Sequence, residues 1–257
     1  MSVLDSIIEG VREDLSKRRR SLAEIHEQMA QAAPALDAHA ALKGSEMKVI
    51  AEVKRSSPSK GALSAIVDPA ALAERYQEAG ASVISVLTEE RRFKGTLADL
   101  TAVRAKVSIP VLRKDFMVDE YQFFEARAHG ADMVLLIVAA LAKSQLRDFY
   151  DLTTEMGMAA LLEVHTADEL ERAMEISPRI IGVNSRNLKT LDVDTAAFAN
   201  LIPQIPIEII RVAESGIAQR SDVEFAQNQG ADAILVGEAL VTSADPNLAM
   251  RTLLGQG

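Results

Sequence analysis

The chain has 257 residues, a formal net charge of −9 (28 Lys and Arg against 37 Asp and Glu) and an apolar fraction of 48 %. That apolar fraction is enough for one sizeable core, and it argues against disorder. The acidic balance disfavours nucleic acids and anionic membranes as partners, and the absence of cysteine excludes disulfides and thiolate chemistry.

Residues 1–45 predict a helical extension. Apolar residues recur at helical spacing from Val3 to Leu15, and Ser2 followed by Asp5 forms a capping pattern. A second helix is expected from about Ser21 to Ala32. The first residues lack the basic and apolar regions of a signal peptide, and no stretch approaches ~20 apolar residues. We therefore expect a cytoplasmic protein with no membrane-spanning helix.

From Lys48 onward, short apolar runs alternate with longer amphipathic segments. Gly80, Gly130 and Gly230 each precede such a run, where a glycine would end a helix. Eight runs have the length of a buried parallel strand: Val49–Val53, Val83–Leu87, Pro110–Leu112, Met133–Val138, Ala159–Val164, Ile180–Val183, Ile209–Ala213 and Ala233–Val236.

This alternation predicts an α/β fold, a single (β/α)8 TIM barrel over residues 1–257 that includes the helical extension. The competing architecture is an open, doubly wound sheet. It is disfavoured because nothing like a GxGxxG loop follows the first apolar run.

Charged side chains are expected inside this barrel, near the C-terminal ends of alternate strands. Because side chains alternate along a strand, the inward positions include Glu52, Lys54, Lys114, Glu163 and Glu214. Unpaired buried charges are costly, so such a cluster is either a salt-bridge plug or an active site. Active sites of this fold lie at that face, which favours the second interpretation.

The loops that follow the seventh and eighth strands predict a phosphate site. They contain Ser215–Gly216 and Gly237–Glu238, where glycine lets the backbone approach an anion. The loop over residues 54–61 adds hydroxyl groups and cations, among them Ser57. Together they lie where this fold often binds phosphate.

Other polar residues receive simpler interpretations. His165 shares a face with Glu163, and we interpret it as a supporting or structural histidine. The run Glu89–Arg92 is typical of a solvated loop, and the alternative is a loop that helps to close the site. No histidines or carboxylates are spaced as metal ligands, so no metal is expected.

Several segments of the chain resemble a known family. The similar segments are Ala51–Ser59, Leu87–Phe93, Leu112–Phe116, Leu161–His165, Gly182–Leu188 and Ala213–Ile217. They resemble, in order, signature segments of the indole-3-glycerol phosphate synthases, and the resemblance covers essentially the whole chain. Ser185 and Asn187 are minor departures, at positions where the family also commonly has Asn and Asp.

The resemblance implies a reaction. An aryl carbon of 1-(2-carboxyphenylamino)-1-deoxyribulose 5-phosphate attacks the ketone carbon, and loss of CO2 and water gives indole-3-glycerol phosphate. No metal or organic cofactor is implied. The partner would be this small phosphorylated substrate, and we expect a monomer or a weak homodimer.

The resemblance also implies roles for individual residues. Lys114 would be the general acid and Glu163 its carboxylate partner, while Lys54 would assist the dehydration. Glu52 would orient the lysines, Asn184 would hold a hydroxyl or carboxylate, and Arg186 would pair with the anthranilate carboxylate. The other implied site residues bind the substrate, and they are Ser57, Phe93, Phe116, Leu135, Glu214, Ser215, Gly216, Leu235, Gly237 and Glu238. The direction of the pKa shift of Lys114 stays open, because neighbouring cations and carboxylates act in opposite senses.

Two rival functions are weighed against this one. The first is another phosphosugar barrel enzyme, such as phosphoribosylanthranilate isomerase. Its reaction would require a nucleophilic thiol or similar base, and this chain has no cysteine. A non-catalytic barrel that binds a phosphorylated ligand would usually have lost Lys114 or Glu163, and both are present.

Overall fold

A computed structural model describes residues 2–188 and 190–256 of the chain. The expected domain bounds, Met1 and Gly257, lie outside the described residues. Eight parallel strands form a closed barrel in which β1 pairs with both β2 and β8. The strands are β1 (Lys48–Val53), β2 (Val83–Leu87), β3 (Val111–Lys114), β4 (Met133–Ile137), β5 (Ala159–Val164), β6 (Ile180–Asn184), β7 (Ile210–Glu214) and β8 (Ala233–Val236). The predicted (β/α)8 barrel is therefore confirmed.

Helices separate the strands and cover the outside of the barrel. In chain order they are α1 (Val3–Arg18), α2 (Leu22–Gln31), α3 (Ala38–Leu42), α4 (Pro69–Glu78), α5 (Leu97–Lys106), α6 (Tyr121–Ala128), α7 (Lys143–Glu155), α8 (Ala167–Met174), α9 (Ala196–Leu201), α10 (Arg220–Asn228), α11 (Glu238–Val241) and α12 (Pro246–Leu253). None of the described helices is long and apolar enough to cross a bilayer.

Local sequence signals account for many helix ends. Ser2 and Ser21 begin α1 and α2 with reciprocal capping boxes, in which each serine side chain and an acidic side chain three residues later bond backbone N–H groups. Gly80, Gly130 and Gly230 adopt φ angles of 101°, 86° and 99°. These angles lie in the left-handed region that favours glycine, so the predicted helix ends are confirmed.

The N-terminal helices are fastened to the barrel by polar contacts as well as by apolar packing. Arg18 donates from Nε to Glu125 of α6 at 2.8 Å. The backbone N–H of Leu36 donates to Asp132, just before β4, at 2.8 Å. These contacts tie the end of α1 to α6 and the segment before α3 to the start of β4.

Strand register determines which side chains share the barrel interior. Glu52 is level with Ser85, and Glu163 is level with Gly182, while Asn184 is level with Glu214. Paired residues of neighbouring parallel strands point to the same side of the sheet. The register therefore brings these polar side chains to one end of the interior, as alternation along the strands predicts.

Candidate active site

A cavity of about 630 Å³ opens at the C-terminal ends of the barrel strands. Its lining includes every residue that the sequence singled out for the site, from Glu52 on β1 to Glu238 on α11. Three residues of α1, Val3, Leu4 and Ile7, also line it. The structure thus brings the predicted site residues together in one place, and their individual roles stay predictions.

Lys114 is the centre of the charged floor of this cavity. Its Nζ lies 3.4 Å from Glu214, 3.7 Å from Glu163 and 3.9 Å from Glu52. A second lysine, Lys54, lies 2.6 Å from the other oxygen of Glu52. The three carboxylates are almost completely buried, so these lysines are the cations that compensate them.

The carboxylates decide the protonation of Lys114. Burial favours the neutral amine, but the negative charges of Glu214, Glu163 and Glu52 outweigh it and raise the pKa of Lys114. Lys114 is therefore an ammonium group at neutral pH. The direction that the sequence left open is upward, because carboxylates and not cations lie closest to Nζ.

Glu163 and Glu214 have opposite protonation preferences although they share the same lysine. Burial opposes ionisation of Glu163, but Lys114 and His165 overcome it and lower its pKa to about 2. Burial raises the pKa of Glu214 to about 8, with Glu163 and Glu52 adding to the shift and Lys114 opposing it. No described side chain donates a hydrogen bond to either oxygen of Glu214. At neutral pH the floor therefore holds one neutral carboxyl group beside two carboxylates.

The neutral state of Glu214 predicts a pH-dependent stability difference. Its folded-state pKa lies above the unfolded value of about 4.3, so its stabilising contribution is complete below that pH and is lost as the pH rises to about 8. The variant Glu214→Gln lacks this titration. We therefore expect its free energy of unfolding, relative to that of the wild type, to increase between about pH 5 and about pH 8. Urea denaturation at several pH values measures this.

The exposed substitution Glu155→Gln is the matched control, and its difference from the wild type should not follow this trend. A difference between Glu214→Gln and wild type that stays constant with pH would show that Glu214 is ionised in the folded protein.

The proposed phosphate end of the cavity is formed by loops that follow β1, β7 and β8. Ser215 and Gly216 have φ angles of 66° and 72°, which turn the chain sharply after β7. The backbone N–H groups of Gly216 and Gly237 donate to no acceptor among the described residues. Lys60, on the loop of a small hairpin over residues 56–62, pairs with the side chain of Glu238. That pairing occupies the carboxylate of Glu238, which would otherwise repel an anion.

The cavity also has an apolar wall and one guanidinium group among its described lining residues. The rings of Phe93 and Phe116 lie with their centroids 6.2 Å apart, and Leu135 and Leu235 also line the cavity. Arg186 donates from Nη1 to the carbonyl of Leu191 at 3.0 Å, and among the described residues its guanidinium has no other hydrogen-bond acceptor. An apolar wall beside a guanidinium group suits an aryl ring that carries a carboxylate.

One loop differs from its sequence-based interpretation. Glu89 was expected in a solvated loop, but it is 4 % exposed and accepts hydrogen bonds from the backbone N–H groups of Arg91, Arg92 and Phe93. The interpretation of Glu89 as solvated is therefore wrong. The Glu89 carboxylate accepts from three backbone N–H groups that would otherwise be unpaired, and this stabilises the loop that places Phe93 at the cavity.

The same loop is joined to the N-terminal extension. Arg91 donates to Asp14 at 2.6 Å and to Glu13 at 2.8 Å, and Arg92 donates to Ser6 at 2.6 Å. The sequence leaves open whether the N-terminal extension covers the barrel mouth, contacts the substrate or mediates a dimer, and the structure places residues of α1 in the cavity wall. The sequence signal for this contact is the continuous apolar stripe of α1, which indicates a helix that packs against other residues and is not surrounded by solvent.

Taken together, the closed barrel and the charged, half-apolar cavity at its C-terminal end define a (β/α)8-barrel enzyme. Residues 4–253 match the family model described as indole-3-glycerol phosphate synthase. The chain belongs to the indole-3-glycerol phosphate synthase family.

Full-length relatives agree with this assignment. The chain is 58 % identical to indole-3-glycerol phosphate synthase 1 of Streptomyces coelicolor, over 100 % of this chain and 96 % of that protein. It is 60 % identical to the indole-3-glycerol phosphate synthase of an Arthrobacter species, over 96 % and 93 % of the two chains. The Rhodococcus opacus protein of the same name is 58 % identical, over 100 % and 96 %.

Solved structures of more distant proteins share the fold. The structure of a 3-hexulose-6-phosphate synthase superposes with a TM-score of 0.63 at 18 % identity, covering 82 % of this chain and 99 % of that one. A thiamine phosphate pyrophosphorylase from Pyrococcus furiosus gives a TM-score of 0.59 at 15 % identity, covering 80 % and 93 %. At these identities the likeness concerns the fold alone.

Proposed function

We propose that the chain catalyses the reaction of its family with the floor of this cavity as its acid–base machinery. It cyclises 1-(2-carboxyphenylamino)-1-deoxyribulose 5-phosphate to indole-3-glycerol phosphate and releases CO2 and water, as a carboxy-lyase of tryptophan biosynthesis. The observation that carries the proposal is the ammonium group of Lys114, held among three buried glutamate side chains beneath an apolar wall.

In the first step Lys114 gives a proton to the ketone oxygen while the carboxyl-bearing aryl carbon attacks the ketone carbon. A carbon–carbon bond forms, and the aryl ring becomes a cation. Glu163 is ionised and lies 3.7 Å from Lys114, so its negative charge stabilises that cation. The C–CO2 bond then breaks, and its electrons restore the aromatic ring.

Dehydration completes the indole. The new hydroxyl group must leave as water, which requires a proton donor, while a base removes the proton that lets the ring double bond form. Lys54 is the donor for this step, and Glu52, 2.6 Å from its Nζ, holds it at the cavity. The side-chain amide of Asn184 helps to lower the pKa of Glu163 and completes the polar lining of the cavity.

The two anionic groups of the substrate fix its direction in the cavity. The phosphate binds at Ser57, Ser215, Gly216 and the backbone of Gly237–Glu238, where unpaired backbone N–H groups are available. The anthranilate carboxylate pairs with Arg186, and its ring packs on the apolar wall that contains Phe93 and Phe116. The ketone carbon then lies over the charged floor between them.

Arg186→Ala tests this orientation. Loss of a charge-assisted, two-oxygen contact is expected to raise KM about 10- to 100-fold, while the affinity for inorganic phosphate stays within about threefold of the wild type. Steady-state kinetics and phosphate titration by calorimetry measure the two effects. Equal weakening of substrate and phosphate would place Arg186 at the phosphate instead.

The function itself is tested by a fluorescence assay for indole product formed from the carboxyphenylamino substrate. Purified protein should produce indole-3-glycerol phosphate, with CO2 released in equal amount. Turnover of phosphoribosylanthranilate without turnover of this substrate would instead establish the isomerase. Substrate binding without either turnover would establish a non-catalytic barrel.

We also propose that the enzyme works in the cytoplasm on this small phosphorylated substrate, as a monomer or a weak homodimer, without a nucleic-acid or membrane partner. The net charge of −9 supports the last point, because a polyanion would be repelled outside the cationic groups of the cavity. Light scattering over a range of protein concentrations, and cell fractionation, test these points.

A further inference from the structure

His165 is a buried imidazole that joins carboxylates from two different elements. It follows the end of β5, and its side chain is 10 % exposed. Its Nε2 lies 3.3 Å from Oε1 of Glu163, and its Nδ1 lies 3.0 Å from Oε2 of Glu169 on α8. His165 does not line the cavity, so it lies behind Glu163 as seen from the substrate.

Glu169 is a fixed anchor for this histidine. Its backbone N–H is capped by the side chain of Thr166 at 3.2 Å, in the first turn of α8. Its carboxylate accepts from the backbone N–H of His165 at 2.8 Å as well as from the ring. Glu169 therefore holds both the backbone and the ring of His165, and the other ring nitrogen, Nε2, points toward Glu163.

The two oxygens of Glu163 have different partners. Oε2 lies 3.7 Å from Nζ of Lys114 on the cavity side, and Oε1 lies toward His165. The contact with Nε2 is a close ion pair and not an aligned hydrogen bond, because Nε2 has no hydrogen-bond partner of good geometry among the described residues. Without His165, Oε1 would lose its cationic neighbour, and the carboxylate could rotate away from Lys114.

The charge of the imidazole follows from its neighbours. Burial disfavours the imidazolium, but Glu163 from β5 and Glu169 from α8 outweigh it and raise the pKa of His165 to about 10. On the far side of Glu163 stand Lys114 from β3 and Asn184 from β6. His165 is therefore a cation at neutral pH, and both ring nitrogens carry a proton.

We propose that His165 is a positioning residue for Glu163: anchored by Glu169, its Nε2 holds the Glu163 carboxylate, ionised and in one orientation, toward Lys114 and the reacting carbon. This inference rests on the proposed function, because it assigns Glu163 a role in the cyclisation. It adds a row of three interacting side chains, Glu163, His165 and Glu169, which runs from the cavity floor to the first turn of α8.

Two near-isosteric substitutions of His165 separate its contact with Glu163 from its contact with Glu169. In His165→Gln the side-chain amide can take the place of Nε2 and keep the contact with Glu163. In His165→Asn the amide takes the place of Nδ1 and keeps only the contact with Glu169. We expect kcat to fall about tenfold in His165→Asn with KM within about threefold of wild type, and His165→Gln to recover most of that loss.

The pH profile gives a second readout that a purely structural histidine would not change. Both variants remove a positive charge beside Glu163, so its pKa should rise, and the acid limb of the kcat profile should move to higher pH. The exposed Glu171→Gln on α8 is the matched control and should keep the wild-type profile. Thermal melting of all variants separates loss of folding from loss of turnover.

The outcomes are distinguishable from failure of the proposed function. If wild-type protein forms no indole product, the function fails and the variants are compared instead by the ring 15N shifts of His165 and the side-chain 13C shift of Glu163. If the wild type turns over but His165→Asn keeps its kcat and acid limb, the inference is overturned. The reverse order, His165→Gln impaired and His165→Asn normal, would make His165 a tether for α8 only.

Discussion

Lys114→Ala is expected to lower kcat about 10^3-fold while KM changes less than about fivefold. A well-placed general acid contributes about 10^2- to 10^4-fold to a rate, and Lys114 is the cation central to the floor where the ketone oxygen must lie. Substrate affinity is carried mainly by groups at the two ends of the cavity, so it should largely survive. Indole-product fluorescence under saturating substrate measures the loss.

The substitution also removes the cation that faces Glu52, Glu163 and Glu214, so the folded protein should be less stable, by about 3 to 5 kcal/mol. Lys114→Arg is the matched variant, because it keeps the charge but gives up its proton far less readily. It should fold nearly as well as wild type and still show low kcat. A Lys114→Arg enzyme with wild-type kcat would mean that charge alone, and not proton donation, is the contribution of this residue.

Glu163→Gln is expected to lower kcat about 10^2- to 10^3-fold with little change in KM. The amide keeps the shape of the side chain but removes the negative charge that stabilises the aryl cation. The low pKa of Glu163, about 2, keeps the wild-type residue ionised near neutral pH. The lost rate in Glu163→Gln should therefore not return as the pH is raised.

The control for this variant is Glu214→Gln, which alters a group that is neutral at pH 7 and changes the local charge far less. Its kcat near neutral pH should exceed that of Glu163→Gln by at least about tenfold. Equal losses in the two variants would contradict the division of the carboxyl groups into one ionised and one neutral.

Much of this architecture could be predicted because it depends on local pattern. Strand length and alternation along β1 and β5 were enough to place Glu52 and Glu163 inside the barrel, since a residue two positions on returns to the same face. Closure of the barrel then brings alternate strands to a common layer. The meeting of Lys114 with its carboxylates follows from these two rules.

Other features depend on distances that a pattern does not contain. The protonation of Glu214 is decided first by its burial and then by the nearby negative charges of Glu163 and Glu52, which its place on β7 does not reveal. The sequence predicts a solvated Glu89 because a run of four charged residues is usually solvated. In the structure the backbone of the following residues donates hydrogen bonds to the Glu89 carboxylate instead. The hairpin over residues 56–62 was not predicted, because its strands have only two residues each.

The helix α1 has an evolutionary consequence. It stands outside the eightfold repeat of strand and helix, yet its residues Val3, Leu4 and Ile7 form part of the wall that faces the substrate. Substitutions there can reshape the pocket without disturbing any strand whose register supports Lys114 and Glu163. The shape of the pocket and its acid–base chemistry can thus vary separately, the first through α1 and the second through the barrel strands.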